Sequence, residues 1–295
     1  MNDDSLFPGF RTHRIDTSGT HIHCVVGGSG PPLLLLHGYP QTHAIWHRIA
    51  PALARTYTVI CADLRGYGDS GKPESDEFHA PYAKRAMALD MVEMMRELGH
   101  VRFRLVGHDR GGRVAHRLCL DHSDCVEKVV VLDISPTKAM YDATNQGFAT
   151  AYYHWFFLIQ PYDLPERLIG GDPVYYLRRK LGGFGTGLRH FDPRALVEYE
   201  RCFRDPATIH ASCEDYRAAA SIDLLHDAQT AASKVGRPLL VLWGENGVVH
   251  RFFKPLDDWR RVASDVRGRS ISCGHYLAEE APAETLHELT TFLAD

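Results

Sequence analysis

Long apolar runs, a basic surplus and paired cysteines are all missing from this sequence of 295 residues. The longest compact apolar stretch near the start, residues 33–36, is far too short to span a bilayer. The opening Met1-Asn-Asp-Asp-Ser-Leu-Phe-Pro8 is acidic and lacks the apolar core of a secretory signal. Net charge is −4 with histidine neutral, so no basic field points to nucleic acid or to an anionic membrane. Seven cysteines form no CxxC pair and no even framework, which implies free thiols in a reducing compartment, the cytoplasm. No HExxH motif occurs. Eighteen histidines include His21 and His23 on one face of a strand, but no third ligand stands at a recognisable spacing, so no metal is expected. Nor does any serine carry glycine at both −2 and +2, which excludes the common G-x-S-x-G elbow.

What is there alternates. Arg11–Asp16 and residues 21–26 flank a Thr17-Ser-Gly-Thr20 hairpin turn. Pro31-Pro32 leads into four consecutive leucines, the pattern of a strand buried on both faces. Strands are then expected at Thr58–Ala62, 103–106, 129–132, 239–243 and 269–272, and helices at 82–98, 112–120, 256–262 and 277–293. Such alternation implies an α/β fold, a mostly parallel central sheet with helices on both faces. Residues 138–222 break the rhythm: they are aromatic-rich with no convincing buried strand. They read as a helical cap inserted between two parts of one core, 1–137 and 223–295, over the edge of the sheet where ligands bind.

Between the strand at 103–106 and the next helix stands Gly107-His-Asp109-Arg-Gly111. It has the elbow's form, G-x-Asp-x-G, with a carboxylate in the nucleophile's place. The plain alternative is a glycine-rich turn with a capping Asp. A carboxylate is already ionised at neutral pH and needs no base to attack an sp³ carbon. The alkyl ester it forms must then be hydrolysed, which requires a base. Ser272-Cys-Gly-His275-Tyr276 follows the last strand, and chain order makes His275 that base. Its acid partner is Asp133, at the end of a strand, with Glu245 in Gly244-Glu-Asn-Gly247 as the other candidate. The N–H groups of Tyr39, in His37-Gly-Tyr-Pro40, and of Arg110 are the expected oxyanion hole. Arg110 and Arg113 lie three apart on a helix N-terminus and share a face. Two guanidiniums beside a nucleophile predict a substrate carboxylate close to the carbon attacked.

His37-Gly-Tyr-Pro-Gln41, Gly107-His-Asp-Arg-Gly-Gly-Arg113, Tyr153-His-Trp-Phe156, Cys202-Phe-Arg-Asp-Pro206 and Glu214-Asp-Tyr216 together resemble the fluoroacetate dehalogenases, a haloacetate dehalogenase group of the α/β-hydrolase superfamily. The resemblance spans nearly the whole chain. It implies an α/β-hydrolase fold, with Asp109 as nucleophile, His275 as water-activating base, Asp133 as its partner, and Arg110 and Arg113 on the carboxylate. It further implies His154, Trp155 and Tyr216 as halide ligands, a small haloacid substrate, a homodimer and no cofactor. An imidazole N–H, an indole N–H and a phenol O–H suit fluoride, which is strongly hydrated and costly to leave bare.

Three rivals share the fold. A haloalkane dehalogenase would usually have Trp after the nucleophile, where Arg110 stands. An epoxide hydrolase would use two cap tyrosines, Tyr216 with Tyr152 or Tyr153, but an epoxide offers no charge to two arginines. A non-catalytic receptor has no need of Asp109, His275 and an acid together.

Overall fold

The structure is a computed structural model in which residues 6–183 and 187–294 are described. Eight strands form one sheet in the order β1-β2-β4-β3-β5-β6-β7-β8. They are β1 (Arg11–Asp16), β2 (His21–Gly27), β3 (Pro32–Leu36), β4 (Thr58–Ala62), β5 (Phe103–His108), β6 (Val126–Leu132), β7 (Leu239–Gly244) and β8 (Val266–Ile271). β1 and β2 pair antiparallel, as do β2 and β4. Every pairing from β4 through β8 is parallel.

The leucine run explains how the sheet is clothed. Side chains alternate across a strand, so Leu34 and Leu36 join one buried cluster while Leu33 and Leu35 join the other. Val129 and Val131 part from Val130 and Leu132 in the same way. The first cluster takes in the helices Lys84–Glu97 and Arg110–Asp121; the second takes in Trp46, Ile49, Leu277, Leu289 and Phe292. Helices therefore cover both faces, as the pattern predicted. Between β6 and β7 the described residues form helices only, from Thr137–Asp142 to Ile222–Gln229. All seven cysteines are buried and free. No described helix is long and apolar enough to cross a membrane.

One expected helix is two. Residues 277–293 split into Leu277–Glu280 and Pro282–Ala294. Pro282 has no N–H to donate and forces the residue before it out of helical geometry; Ala281 accordingly has ψ 56°. The apolar spacing continues through the break, which is why periodicity alone ran them together.

Candidate active site

The C-terminal ends of β3, β5, β6, β7 and β8 converge, and each delivers one piece of a site. Asp109 sits between β5 and the helix Arg110–Asp121 with φ 44° and ψ −111°. Few L-residues adopt such a conformation, and holding it costs about 1–3 kcal/mol. The flanking glycines are required by contact. A Cβ on Gly107 would meet the Gly111 carbonyl oxygen at 2.4 Å, and one on Gly111 would meet that of Leu36 at 2.4 Å. The backbone N–H of Tyr39, beyond β3, donates to Asp109 Oδ2 at 3.0 Å. Arg110 opens the helix, so its N–H has no partner four residues back. Burial pushes the Asp109 carboxyl up, but His275, Arg113, His108 and Arg110 outweigh it and hold the group below the usual carboxylate range.

His275, beyond β8, places Nδ1 2.6 Å from Asp133 Oδ2. Asp133 Oδ1 accepts from the Gly244 N–H at 2.9 Å. Burial alone would lower the His275 pKa; the hydrogen bond and charge of Asp133, with Asp109 behind, raise it above its ordinary value. The carbonyl of His275 accepts from His108 Nε2 at 2.9 Å, which fixes the loop that carries it. Glu245, the other candidate acid, is exposed, and its backbone N–H donates to the Ile271 carbonyl at 2.8 Å. It is no partner of His275. A Cβ on Gly247 would lie 3.4 Å from Asp133 Oδ1, in ordinary van der Waals contact with the carboxylate that follows β6.

The arginines are buried and share a side of the site, but neither offers a whole fork. Arg110 gives Nε to Asp215 Oδ2 at 2.8 Å, and Nη2 to Asp215 Oδ1 at 2.6 Å and to its carbonyl at 2.8 Å. Arg113 gives Nη1 to Thr137 Oγ1 at 2.9 Å and to the Ser135 carbonyl at 3.3 Å. Arg110 Nη1 and Arg113 Nε remain buried without a hydrogen-bond partner among the described residues. Each guanidinium thus leaves one buried nitrogen unsatisfied. The guanidinium carbons also stack, Arg110 at 4.2 Å from the Tyr216 ring centre and Arg113 at 4.7 Å from that of Trp155.

His154 and Tyr216 pack on Tyr39, and Trp155 packs on Tyr216. The His154 ring stacks on Tyr39 at 6.0 Å and meets Tyr216 edge-on at 5.6 Å; Trp155 lies 6.5 Å from Tyr216. Trp155 Nε1 and the Tyr216 hydroxyl are buried with no hydrogen-bond partner among the described residues. Native proteins rarely leave such donors unmet, because doing so costs about 1–3 kcal/mol each. Burial and the charge of Asp109 keep Tyr216 protonated, hence a donor. Of the tyrosines a rival chemistry would use, Tyr152 is buried, whereas Tyr153 is 46% exposed.

Three residues here went unassigned in the sequence. Asp215 fixes Arg110, and it also takes the Lys84 ammonium and the Tyr67 hydroxyl. Its signal was its place between Glu214 and Tyr216. Tyr276 follows His275 directly, packs 4.8 Å from its ring and buries a hydroxyl with no hydrogen-bond partner among the described residues. Lys180, in the helix Pro173–Gly183, is buried although Arg178 and Arg179 beside it are exposed. A cavity of about 590 Å³ lined by His116, Pro136, Phe252 and Phe253 does not include Asp109 and is separate from this site.

Metal-ligating residue types gather at one place among the described residues: His23, His43 and Asp63. His21, paired with His23 in the strand pattern, is not part of it. The two groups beside His23 come from elsewhere, His43 from the turn after β3 and Asp63 from the end of β4. Here the groups bond one another, with both imidazole Nδ1 atoms 2.9 Å from the Asp63 carboxylate. That carboxylate also takes the N–H groups of His43 and Asp69.

The family model for the alpha/beta hydrolase fold matches residues 31–282. The chain is 48% identical to a fluoroacetate dehalogenase of Burkholderia sp over 98% of this chain and 96% of that one. It is 34% identical to a soluble epoxide hydrolase of Corynebacterium sp. (strain C12), over 96% of each. The solved structure of an alpha/beta hydrolase from Nostoc sp PCC 7120 superposes with a TM-score of 0.95 at 57% identity, covering 96% of this chain and 98% of that one. With an elbow between β5 and its helix, an acid after β6 and a histidine after β8, this chain belongs to the α/β-hydrolase fold family.

Proposed function

We propose that the protein hydrolyses the carbon–halogen bond of a small 2-haloacid, converting fluoroacetate to glycolate and fluoride. The observation that carries this reading is the pairing of two sets of unmet buried donors around one carboxylate. Arg110 Nη1 and Arg113 Nε suit a substrate carboxylate, one nitrogen per oxygen; Trp155 Nε1 and the Tyr216 hydroxyl suit a halide. His154 is the third halide ligand. The Tyr39 N–H holds Asp109 Oδ2, so Oδ1 is the attacking atom. It displaces halide in line, and the C–F electron pair leaves with fluoride. His275 then takes a proton from water, which attacks the ester carbonyl of Asp109. The N–H groups of Tyr39 and Arg110 bind the oxyanion; as it collapses, the departing glycolate oxygen takes the proton from His275, and the Asp109 carboxyl gives its own proton to solvent and is a free carboxylate again. The helices between β6 and β7, 138–222, act as the cap that keeps bulk water out of this step. The same reading takes the protein as a cytoplasmic homodimer that needs no cofactor, because each group used belongs to the chain.

Incubation with fluoroacetate should release fluoride and glycolate in equal amounts, measured by fluoride electrode and chromatography. Turnover of epoxides with no halide release from any haloacetate overturns the reading. That alternative, an epoxide hydrolase, is favoured by the 34% identical relative and by the Tyr216 hydroxyl. It leaves the two arginine N–H groups with nothing to bind.

The pH dependence follows from His275. Its pKa is raised by Asp133, and only the neutral ring accepts a proton. Ester hydrolysis should therefore fail as pH drops through a value above the ordinary histidine pKa of about 6.5. In Asp133→Asn that limb should move to lower pH, with kcat at its plateau down by about 10³–10⁴-fold. An unmoved limb in stopped-flow ester hydrolysis would remove Asp133 from the role.

A further inference from the structure

We infer that Glu279 is a positioning residue of this site, whose buried carboxyl clamps the oxyanion loop and a cap helix to the segment that carries His275. The inference rests on the ester-hydrolysis step of the reading above. Glu279 stands four residues after His275, on the short helix Leu277–Glu280, and its N–H donates to the Tyr276 carbonyl at 2.9 Å. Its two carboxyl oxygens reach two other parts of the chain. Oε2 accepts from Gln41 Nε2 at 2.5 Å, and Oε1 accepts from the Tyr199 hydroxyl at 3.1 Å. All three side chains are buried. Gln41 lies two residues beyond Tyr39, and its N–H closes the turn by donating to the Gly38 carbonyl at 2.9 Å. Tyr39 is the residue whose N–H holds Asp109 Oδ2. Tyr199 belongs to the helix Pro193–Phe203, within the cap. One side chain therefore joins the loops after β3 and β8, which carry an oxyanion N–H and the base, and fastens the cap to both.

The company this carboxyl keeps sets it apart. Asp215 is met by Arg110 and Lys84, and Asp133 by His275. The Glu279 oxygens are met by an amide and a phenol, which carry no charge. Arg48, the cation that faces Glu279, gives Nη1 to its backbone carbonyl at 3.0 Å. On its other sides stand Tyr276 and the acidic Glu280. Burial pushes the Glu279 carboxyl up to about 8, against the hydrogen bonds of Tyr199 and Gln41 and the charge of Arg48. At neutral pH the group is therefore an acid with a proton to donate. An acceptor is at hand, because Gln41 Oε1 is buried with no hydrogen-bond partner among the described residues. A half-turn of the amide brings that oxygen to the Glu279 O–H, and the clamp closes with no charge buried. Above that range the same place must hold a carboxylate on neutral donors, which is costly. Ionisation draws water to it and frees Gln41 and Tyr199, and the Tyr39 N–H loses its fixed place.

The test uses the full-length protein with Glu279→Ala and Glu279→Gln, each checked by circular dichroism. Single-turnover ester hydrolysis at neutral pH should fall by about tenfold or more in Glu279→Ala, part of the loss seen when an oxyanion donor is removed outright. Halide release in the same experiment should fall less, because the oxyanion develops only in hydrolysis. Glu279→Gln should recover most of the loss, since its amide can donate to Gln41 Oε1 and accept from Tyr199 as the neutral acid does. The pH profile separates positioning from packing. Wild-type hydrolysis should decline as pH rises through about 8; Glu279→Gln has no proton to lose there and should hold its rate. The same alkaline decline in Glu279→Gln overturns the inference, and so does wild-type hydrolysis by Glu279→Ala. Should the Ala variant not fold, the Gln profile decides. If the wild type releases no halide from any haloacetate, the dehalogenase reading is what fails, and melting temperature then decides this one. The folded state holds the Glu279 proton above the ordinary value of 4.5. Wild type should therefore lose stability relative to Glu279→Gln as pH rises from about 4.5 to about 8, and the gap should stay level above that. A gap that does not change across this range rejects the inference.

Discussion

His275→Asn should turn the enzyme into a reagent that reacts once and stops. Asp109 does not depend on His275 for its ionisation alone, because Arg113, His108 and Arg110 also hold its carboxyl low. Attack on the haloacid should therefore proceed, with one equivalent of halide released per site. Hydrolysis should not, because asparagine cannot take a proton from water, and losses for removing such a base reach about 10²–10⁴-fold. Intact mass after exposure to fluoroacetate or chloroacetate should then include one carboxymethyl group, and peptide mapping should place it on Asp109. The expected pair is Asp109→Asn, which should release no halide and gain no mass. An unshifted His275→Asn, with haloacid bound at the site, would count against both assigned roles. A shift mapped to another residue would move the nucleophile. The buried contact between His275 Nδ1 and Asp133 at 2.6 Å is lost with the ring. Some destabilisation is expected, and the melting temperature should be followed alongside.

Much of this site is local in sequence, and that part was legible. The elbow can be read because glycine spacing reports a contact: Gly107 and Gly111 stand where no Cβ fits. Asp133 can be read because it directly follows a buried strand of a parallel sheet, whose C-terminal end is where such folds assemble their chemistry. The choice between Asp133 and Glu245 needed burial, which no single-sequence pattern gives for a loop. The side chains that tie up Arg110 were less accessible still. Asp215 lies 105 residues away, on a helix whose burial on nearly every face erases the amphipathic signal. Lys180 looked like its exposed neighbours Arg178 and Arg179, because which face of a helix is covered depends on what packs against it. The same non-locality hid the His23–His43–Asp63 cluster, drawn from β2, the turn after β3 and the end of β4. Aromatic residues were ambiguous in a different way. Tyr152-Tyr-His-Trp-Phe-Phe157 suits a core stripe as well as a donor set, and only the unmet Trp155 indole N–H separates the two.

That N–H gives the second large effect. Trp155→Phe should reduce fluoroacetate turnover by about 10²–10³-fold, the loss usual for one preorganised donor aimed at developing charge. The reason is specific to the atom removed. Phenylalanine retains a ring for the Arg113 guanidinium, which stacks at 4.7 Å on Trp155, and retains most of the packing against Tyr141 and Phe148. What it loses is the buried indole donor that has no partner among the described residues. Fluoride concentrates its charge in a small volume and depends heavily on donors; chloride spreads its charge and leaves more readily. Chloroacetate turnover should accordingly fall by only about tenfold, the scale of one hydrogen bond to a less demanding anion. The ratio of the two kcat/KM losses is the measurement, because a general disturbance of the aromatic cluster would depress both substrates alike. Equal losses would mean that the halide departs towards some other group. The indole N–H would then need another explanation for being buried with nothing to bind.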